Sequence, residues 1–177
     1  MNREPLFRRL IGPAFDHLPA AIRSVHVTEP ARFEGHCEVI RGHGMLSRLC
    51  GVIAGLPPPG EHVRCAVDIV PVADGETWGR DFGGYPLRSM LRGQDGLLHE
   101  RMGPASYRFR LVADGECIRW ELVGMRVLGI PLPRFARAAI DASESVRDGL
   151  YAFDVRATLP VAGLLVHYRG RLTPVAR

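Results

Sequence analysis

The stretch SYRFRLVADGECIRWELV, residues 106–123, carries the pattern that decides the fold. On each side of Asp114-Gly115, apolar residues alternate with mostly charged ones, which is the period of a strand with one buried face. An Asp-Gly dipeptide between two such runs is typical of a tight β-hairpin, because its residues accept the positive φ of the turn. The apolar set comprises Tyr107, Phe109, Leu111, Ile118, Trp120 and Leu122. We therefore predict an antiparallel hairpin with its apolar face inside the protein.

The same turn signal recurs at Asp74-Gly75, Asp95-Gly96 and Asp148-Gly149, each beside alternating sequence. Gly83-Gly84 and Gly103-Pro104 mark further turns. Strands are predicted near residues 32–41, 63–72, 76–82, 86–92, 97–102, 106–113, 117–127, 142–147, 150–159 and 165–173. An open sheet of this size must curl or split. The sequence thus predicts a mainly β fold, a strongly curved antiparallel meander sheet or barrel of about 8–10 strands, with an α+β cup as the alternative.

Two helices are predicted beside these strands. Residues 16–26 have Asp16 as a candidate N-cap and Pro19 in an early position, which indicates an N-terminal helix. Residues 45–55 predict one short helix that is apolar nearly all round. A helix of that kind is normally buried, so we expect it to plug or cover the sheet. No linker or low-complexity segment divides the chain, and residues 1–177 are interpreted as a single domain.

Composition restricts the partners of the protein. The net charge is +4, and all 23 basic residues are arginines, but 19 acidic residues are interleaved with them and no basic run occurs. The electrostatic footprint of a nucleic-acid-binding protein is therefore missing. No stretch approaches the roughly 18 consecutive apolar residues of a membrane span, and no secretory segment is recognisable. We expect a cytoplasmic protein with reduced cysteines, at most peripheral to the inner membrane through weak contact with its surface.

The chain contains no motif for a metal, a cofactor or a nucleophile. The four cysteines lie far apart, and the spacing of His36, Glu38 and His43 matches no zinc motif, so no metal is predicted. There is no G-x-G-x-x-G stretch for a dinucleotide and no G-x-S-x-G elbow for acyl transfer, and no cofactor is predicted.

Candidate acid/base residues are His99, Glu100 and Asp81. His99 and Glu100 point to opposite faces of one strand, so a catalytic pair would need a partner from another strand. A charged, solvated strand face with ion pairs across strands accounts for the same residues.

A ligand site is predicted on the apolar face of the sheet. In residues 76–84, Trp78, Arg80 and Phe82 alternate against Asp81. An arginine on the same face as two aromatic residues either lies exposed beside them or enters the interior, where it must meet a carboxylate or an anionic ligand. The predicted ligand-binding residues are Trp78, Arg80, Phe82, Arg88, Tyr107 and Trp120.

Three apolar segments rich in Gly and Pro, residues 55–59, 129–133 and 159–165, interrupt the strand pattern. They either plug the barrel or surround the entrance to an apolar cavity, with arginines at the rim that suit a carboxylate, a phosphate or an anionic lipid surface. The predicted entrance residues are Leu56, Pro57, Leu128, Ile130, Pro131, Leu132, Arg134, Phe135 and Arg137.

Five segments taken in order resemble a bacterial domain family of unknown function. They are GPAFDHLP (12–19), WGRDFGG (78–84), GLLHERMGPASYRF (96–109), GMRVLGIPLPRFA (124–136) and LPVAGLLVHYRGRL (159–172). The domain of that family also occurs fused behind Rossmann-type, saccharopine-dehydrogenase-like oxidoreductases. The resemblance implies no substrate and no catalytic residue, and a nicotinamide enzyme, if involved, would be a separate polypeptide.

Three functions are consistent with these observations. The first is a binding module for a small apolar or amphipathic, lipid-like ligand whose acidic head meets an arginine. The second is a non-catalytic domain that docks on a separate oxidoreductase. The third is a small enzyme that uses His99, Glu100 or Asp81 in the same cup.

Overall fold

A computed structural model describes residues 4–175 of the chain. The helical elements are α1 (Leu6–Ile11), a 3₁₀ segment (Gly12–His17), α2 (Ala20–Arg23) and α3 (Met45–Ile53). The strands are β1 (Ala31–Arg41), β2 (Gly60–Val72), β3 (Gly75–Phe82), β4 (Pro86–Gln94), β5 (Leu97–Met102), β6 (Ala105–Ala113), β7 (Ile118–Val127), β8 (Ile130–Pro131), β9 (Ala139–Arg147), β10 (Leu150–Leu159) and β11 (Gly163–Pro174). The ten strands predicted from the sequence are all present, and the two-residue β8 adds to them.

These strands form a closed up-and-down barrel. From β1 to β7 each strand pairs antiparallel with the next, β7 pairs with β9, and β8 lies beside β7. The series continues through β10 to β11, which pairs with β1 and closes a ring of ten strands. The predicted mainly β fold is confirmed, and the α+β cup is wrong because the sheet has no open side.

Closure between β1 and β11 requires a close backbone approach. Gly35 lies opposite Leu172, and an added Cβ there would be 2.0 Å from the carbonyl oxygen of Arg171. Only a residue without a side chain fits this position, so Gly35 permits the last pairing of the ring.

The two ends of the barrel differ in chemistry. The four Asp-Gly turns follow β2, β4, β6 and β9 and therefore all lie at one end, which we call the turn end. The connections after β1, β3, β5, β7 and β10 lie at the other, which we call the loop end. All three apolar Gly/Pro segments are at the loop end. This separation follows from the up-and-down topology, since alternate connections must lie at the same end.

The N-terminal segment closes the turn end. Phe7 is fully buried, and its ring stacks on His26 with 3.6 Å between centroids. The rings of Trp78 and Trp120 lie 6.0 and 5.6 Å away. The helix predicted over residues 16–26 is confirmed only in part. Helix α2 lies within that range, but Leu18 and Pro19 before it are extended, because a residue before proline avoids helical geometry, and α1 begins earlier.

Helix α3 was predicted to be buried, and this is wrong. Its small residues, Ser47 and Gly51, face the barrel, whereas Met45 and Val52 are 88% and 79% exposed. The reason is Arg41, whose guanidinium lies so close beneath Gly51 that an added Cβ would be 1.5 Å from Nη2. Arg41 donates hydrogen bonds to the carbonyls of Leu56, Pro57 and Leu165 and so ties the helix to the barrel wall.

Candidate functional site

The barrel encloses a cavity of about 760 Å³. It extends from Val25 in the N-terminal segment to Leu56 and Leu132 at the loop end. Its wall is mainly apolar and includes Phe33, Val67, Phe82, Phe109, Met125, Phe153, Val155, Leu159 and Val166. This volume lies within the range of roughly 300–1,000 Å³ that is usual for small-molecule sites.

One ion pair lies in the wall of this cavity. Arg80 donates from both Nη atoms to Glu100 Oε1, at 3.3 and 3.2 Å, and from Nη1 to Ser89 Oγ at 2.9 Å. The guanidinium carbon also lies 4.9 Å from the ring centroid of Trp78. Burial lowers the pKa of Arg80, but the charge and hydrogen bond of Glu100, together with smaller contributions from Tyr168 and Tyr151, leave that pKa raised. Of the two positions predicted for Arg80, the structure has the inner one, and the arginine meets a carboxylate there.

Two tyrosines flank this ion pair. Tyr107 lies opposite Glu100 on the neighbouring strand, and Tyr168 lies across the barrel on β11. Burial raises the pKa of each to about 12, so both hydroxyls are protonated at neutral pH and can donate hydrogen bonds. Both side chains point inward yet are only half-buried, because the cavity leaves part of each uncovered.

Two buried carboxylates hold the two tryptophans at the end of the cavity that the N-terminal segment closes. Glu144 accepts hydrogen bonds from Trp120 Nε1 at 2.9 Å and shares a 2.6 Å hydrogen bond with His26 Nε2. Glu76 accepts one from Trp78 Nε1 at 2.8 Å, and burial raises the pKa of this carboxyl. Within residues 4–175, His26 Nδ1 is buried without a hydrogen-bond partner. These bonds fix both indoles where the cavity meets the N-terminal segment.

The structure places the predicted ligand-binding residues around one space. Trp78, Arg80, Phe82, Tyr107 and Trp120 all line the cavity. Arg88 borders it from an exposed position between the inward residues Leu87 and Ser89, because strand alternation turns its side chain outward.

The three acid/base candidates do not come together. Glu100 is buried inside the barrel. His99 lies on the outer face of β5, opposite Arg108 on the neighbouring strand. Partial burial lowers the pKa of His99. Asp81 accepts a hydrogen bond from the Gly84 N–H at 2.8 Å and stabilises a turn. Neither His99 nor Asp81 lines the cavity, so Glu100 alone remains there.

The predicted entrance residues divide into two groups. Leu56 and Leu132 line the cavity and Pro57 is buried, so these three help to close it. Arg137 is half-buried and donates to the Val123 carbonyl at 2.9 Å. The exposed group comprises Leu128, Ile130, Pro131, Arg134 and Phe135. The segment 127–137 thus contributes Val127 and Leu132 to the cavity wall and presents most of its apolar side chains to the outside.

Sequence reasoning missed Glu144 and Tyr168 as site residues. Glu144 lies on the inward face of β9 between Ala142 and Val146, so a charged residue in an apolar series was the available signal. Tyr168 follows the apolar alternation of β11, which gives no sign that it lines the same cavity as Arg80.

Within residues 4–175 no helix is long and apolar enough to cross a membrane. The same residues contain no group of three or more His, Cys, Asp or Glu side chains that could hold a metal ion.

Comparison with solved structures finds distant similarity. A protein of unknown function from the DUF3598 family of Nostoc punctiforme has a TM-score of 0.52 and 11% identity, over 82% of this chain and 47% of that one. The chain therefore spans about half the length of that protein. Rv2717c from M. tuberculosis has a TM-score of 0.47 and 13% identity, over 90% of this chain and 99% of that one. No curated protein matches the chain.

Similarity at such identities shows the fold alone. A family model covers most of the chain, since the model described as a domain of unknown function, DUF4166, matches residues 18–172. The resemblance to a family of unknown function is confirmed to this extent, whereas fusion to an oxidoreductase and a cytoplasmic location stay predictions. The chain belongs to the DUF4166 family of domains of unknown function.

Proposed function

We propose that the barrel binds a small amphipathic, lipid-like molecule with its apolar body in the cavity and its polar head at Arg80. The observation that carries this proposal is the cavity of about 760 Å³, which is mainly apolar and has the Arg80–Glu100 ion pair in its wall. Ligand sites typically combine an apolar wall with a few polar groups that orient the ligand.

The apolar part of the site favours a hydrocarbon body. Met125, Val155, Ala157 and Leu159 line the cavity towards the loop end, away from the N-terminal segment. Each methylene group transferred from water to such a wall contributes about 0.8 kcal/mol. A chain of several carbons would therefore gain affinity from contact with the wall alone.

The polar part of the site favours a head that both accepts and donates hydrogen bonds. Arg80 and the hydroxyls of Tyr107 and Tyr168 supply donors, and Glu100 supplies an acceptor. Because Glu100 already balances the charge of Arg80, a carboxylic acid or hydroxyl head fits better than a doubly charged phosphate.

The experiment is fluorescence titration of the protein with a dansyl-labelled undecanoic acid, after native mass spectrometry of gently purified protein for a bound molecule. Tyr107→Phe/Tyr168→Phe removes two donors and keeps both rings, and we expect binding to weaken about tenfold. Tyr85→Phe is the matched control, because Tyr85 is exposed and does not line the cavity. Equal affinities of the two variants would contradict the assignment of the head group.

A second pair of variants tests the cavity itself. Ala157 lines the cavity, and Ala157→Phe would occupy space that the ligand body needs. Its neighbour Thr158 lies on the opposite face of β10, so Thr158→Phe adds the same ring outside. We expect Ala157→Phe to abolish probe binding and Thr158→Phe to leave it unchanged. Native affinity in a folded Ala157→Phe variant would refute binding inside the barrel.

A further inference from the structure

We infer that the loop end of the barrel docks on the surface of a bilayer that contains anionic phospholipid, where the cavity takes up and releases its ligand. The exchange of ligand rests on the proposed function, whereas the docking itself does not. The inference combines the distribution of exposed apolar side chains, the construction of α3 and the charges at the two ends.

Exposed apolar side chains are concentrated at the loop end. Of the large hydrophobic residues exposed within residues 4–175, ten lie there and four lie elsewhere. The most exposed of the ten are Met45, Val52, Leu128, Phe135 and Val161, at 77% or more. Single exposed hydrophobic residues are common, but a group confined to one end of a protein marks an interaction surface.

The apolar face of α3 is fixed in place. Ser47 donates a hydrogen bond to the Leu164 carbonyl, and Gly51 packs on the guanidinium of Arg41. With these small residues inside, Leu49 and Val52 must point away from the barrel. The protein therefore holds a helix whose large side chains are mostly exposed and of which only Ser47 and Gly51 are buried. Such an arrangement stabilises contact with an apolar phase.

The apolar segments form one continuous face around the mouth of the cavity. In the ring of strands, α3 joins β1 to β2, residues 160–162 join β10 to β11, and residues 128–138 join β7 to β9. These positions follow one another around the rim. Leu56 and Leu132 from the same segments also line the cavity. A ligand that leaves the mouth would therefore meet whatever covers this face.

Charge indicates what covers the face. The loop-end connections, residues 42–59, 83–85, 103–104, 128–138 and 160–162, contain three arginines, Arg48, Arg134 and Arg137, and no acidic residue. Five acidic residues and no arginine lie in the turn-end connections, residues 73–74, 95–96, 114–117 and 148–149. The N-terminal segment over residues 4–30, which closes the same end, adds three arginines and three acidic residues, so the turn end keeps an acidic excess. An anionic surface thus attracts the loop end and repels the turn end. Arginines beside an apolar face match phosphate head groups above acyl chains.

The experiment is flotation of the full chain with phosphatidylcholine vesicles, with and without about one third phosphatidylglycerol. We expect binding to the anionic vesicles and its loss as salt rises from about 0.1 M to 1 M, where charges are screened within roughly 3 Å. Val52→Ser/Phe135→Ser should weaken binding at least about tenfold. Val70→Ser/Met90→Ser is the matched control, because it removes two exposed apolar side chains from the barrel wall.

A charge pair of variants completes the test. Arg48→Gln/Arg134→Gln should weaken binding about fivefold for each arginine, whereas Arg92→Gln, an exposed change on β4 near the turn end, should not. Equal binding to neutral and anionic vesicles, no binding to either, or a dimer that Val52→Ser/Phe135→Ser dissociates would overturn the inference. Titration with the dansyl-labelled acid without vesicles separates the proposals: native probe affinity without flotation removes docking alone, and flotation without probe binding removes the ligand alone.

Discussion

Removal of the Glu100 carboxylate would leave the Arg80 guanidinium inside the barrel with Ser89 and the face of Trp78 as its partners. The two charged side chains are only 14% and 10% exposed, so water screens them little. Loss of one partner from a buried pair costs about 3–5 kcal/mol. Because the cavity borders this pair, we expect Glu100→Leu to lower the free energy of unfolding by about 3 kcal/mol, at the low end of that range.

The second step removes the other charge. In Arg80→Met/Glu100→Leu no charge is left uncompensated, so the double variant should recover about 2 kcal/mol or more relative to Glu100→Leu. Urea unfolding followed by the fluorescence of the buried Trp78 and Trp120 measures each free energy. Glu121→Leu serves as the control, because Glu121 and Arg110 form a 3.9 Å pair that is more than half exposed on both sides, worth at most about 1 kcal/mol.

Two outcomes would refute this reasoning. One is a Glu100→Leu variant no less stable than Glu121→Leu, and the other is a double variant as unstable as Glu100→Leu. The double variant also separates stability from function. It should fold yet bind the dansyl-labelled acid weakly, because the donor for the ligand head is gone.

Two further predictions follow from buried groups. Burial raises the pKa of Glu76, so its contribution to stability is present at low pH and is lost as the pH rises through the folded-state value. Glu76→Gln keeps an acceptor for Trp78 but removes the buried charge, so it should raise the free energy of unfolding at pH 7 and hardly change it below about pH 4. Urea unfolding at both pH values measures this difference, and an equal gain at both would contradict the prediction. Gly51→Ala places a Cβ 1.5 Å from Arg41 Nη2 and should therefore speed proteolysis of residues 45–59. Gly44→Ala is the control, because the nearest atom to its added Cβ is 3.9 Å away. Equal rates of proteolysis would argue against Arg41 as the residue that holds α3 on the barrel.

The barrel was predictable from the sequence because its signals are local. Each strand shows its alternation within about ten residues, and an Asp-Gly turn lies next to many of the strands. In a meander each strand pairs mostly with the next one along the chain, so these local signals determine most of the pairings. Closure itself depends on Gly35, whose neighbours on β11 are more than a hundred residues away in the chain. No local pattern distinguishes that glycine from one in a turn.

The site was predictable only where a charged residue interrupts the apolar face of a strand. Arg80 between two aromatic residues was such a break, and it does line the cavity. The orientation of α3 could not be predicted from its own residues, since apolar side chains around most of a helix favour burial. Its inner face is set by Arg41, which lies on β1 outside the helix. Likewise, Phe7 in α1 acquires its role from Trp78 and Trp120, distant partners that a local signal does not reveal.

The cavity favours the proposed binding function over a scaffold that only docks on a partner. Protein interiors are normally packed to a density of about 0.74, and voids larger than a few water molecules are rare. Here Ala105, Ala138, Ala142 and Ala157 line a space of about 760 Å³ that larger residues could fill. A domain that served only to contact a partner would gain stability from such filling and lose nothing on its outer surface. The small residues on the wall, with Arg80 and Glu100 beside them, are explained more directly by a molecule that occupies the space.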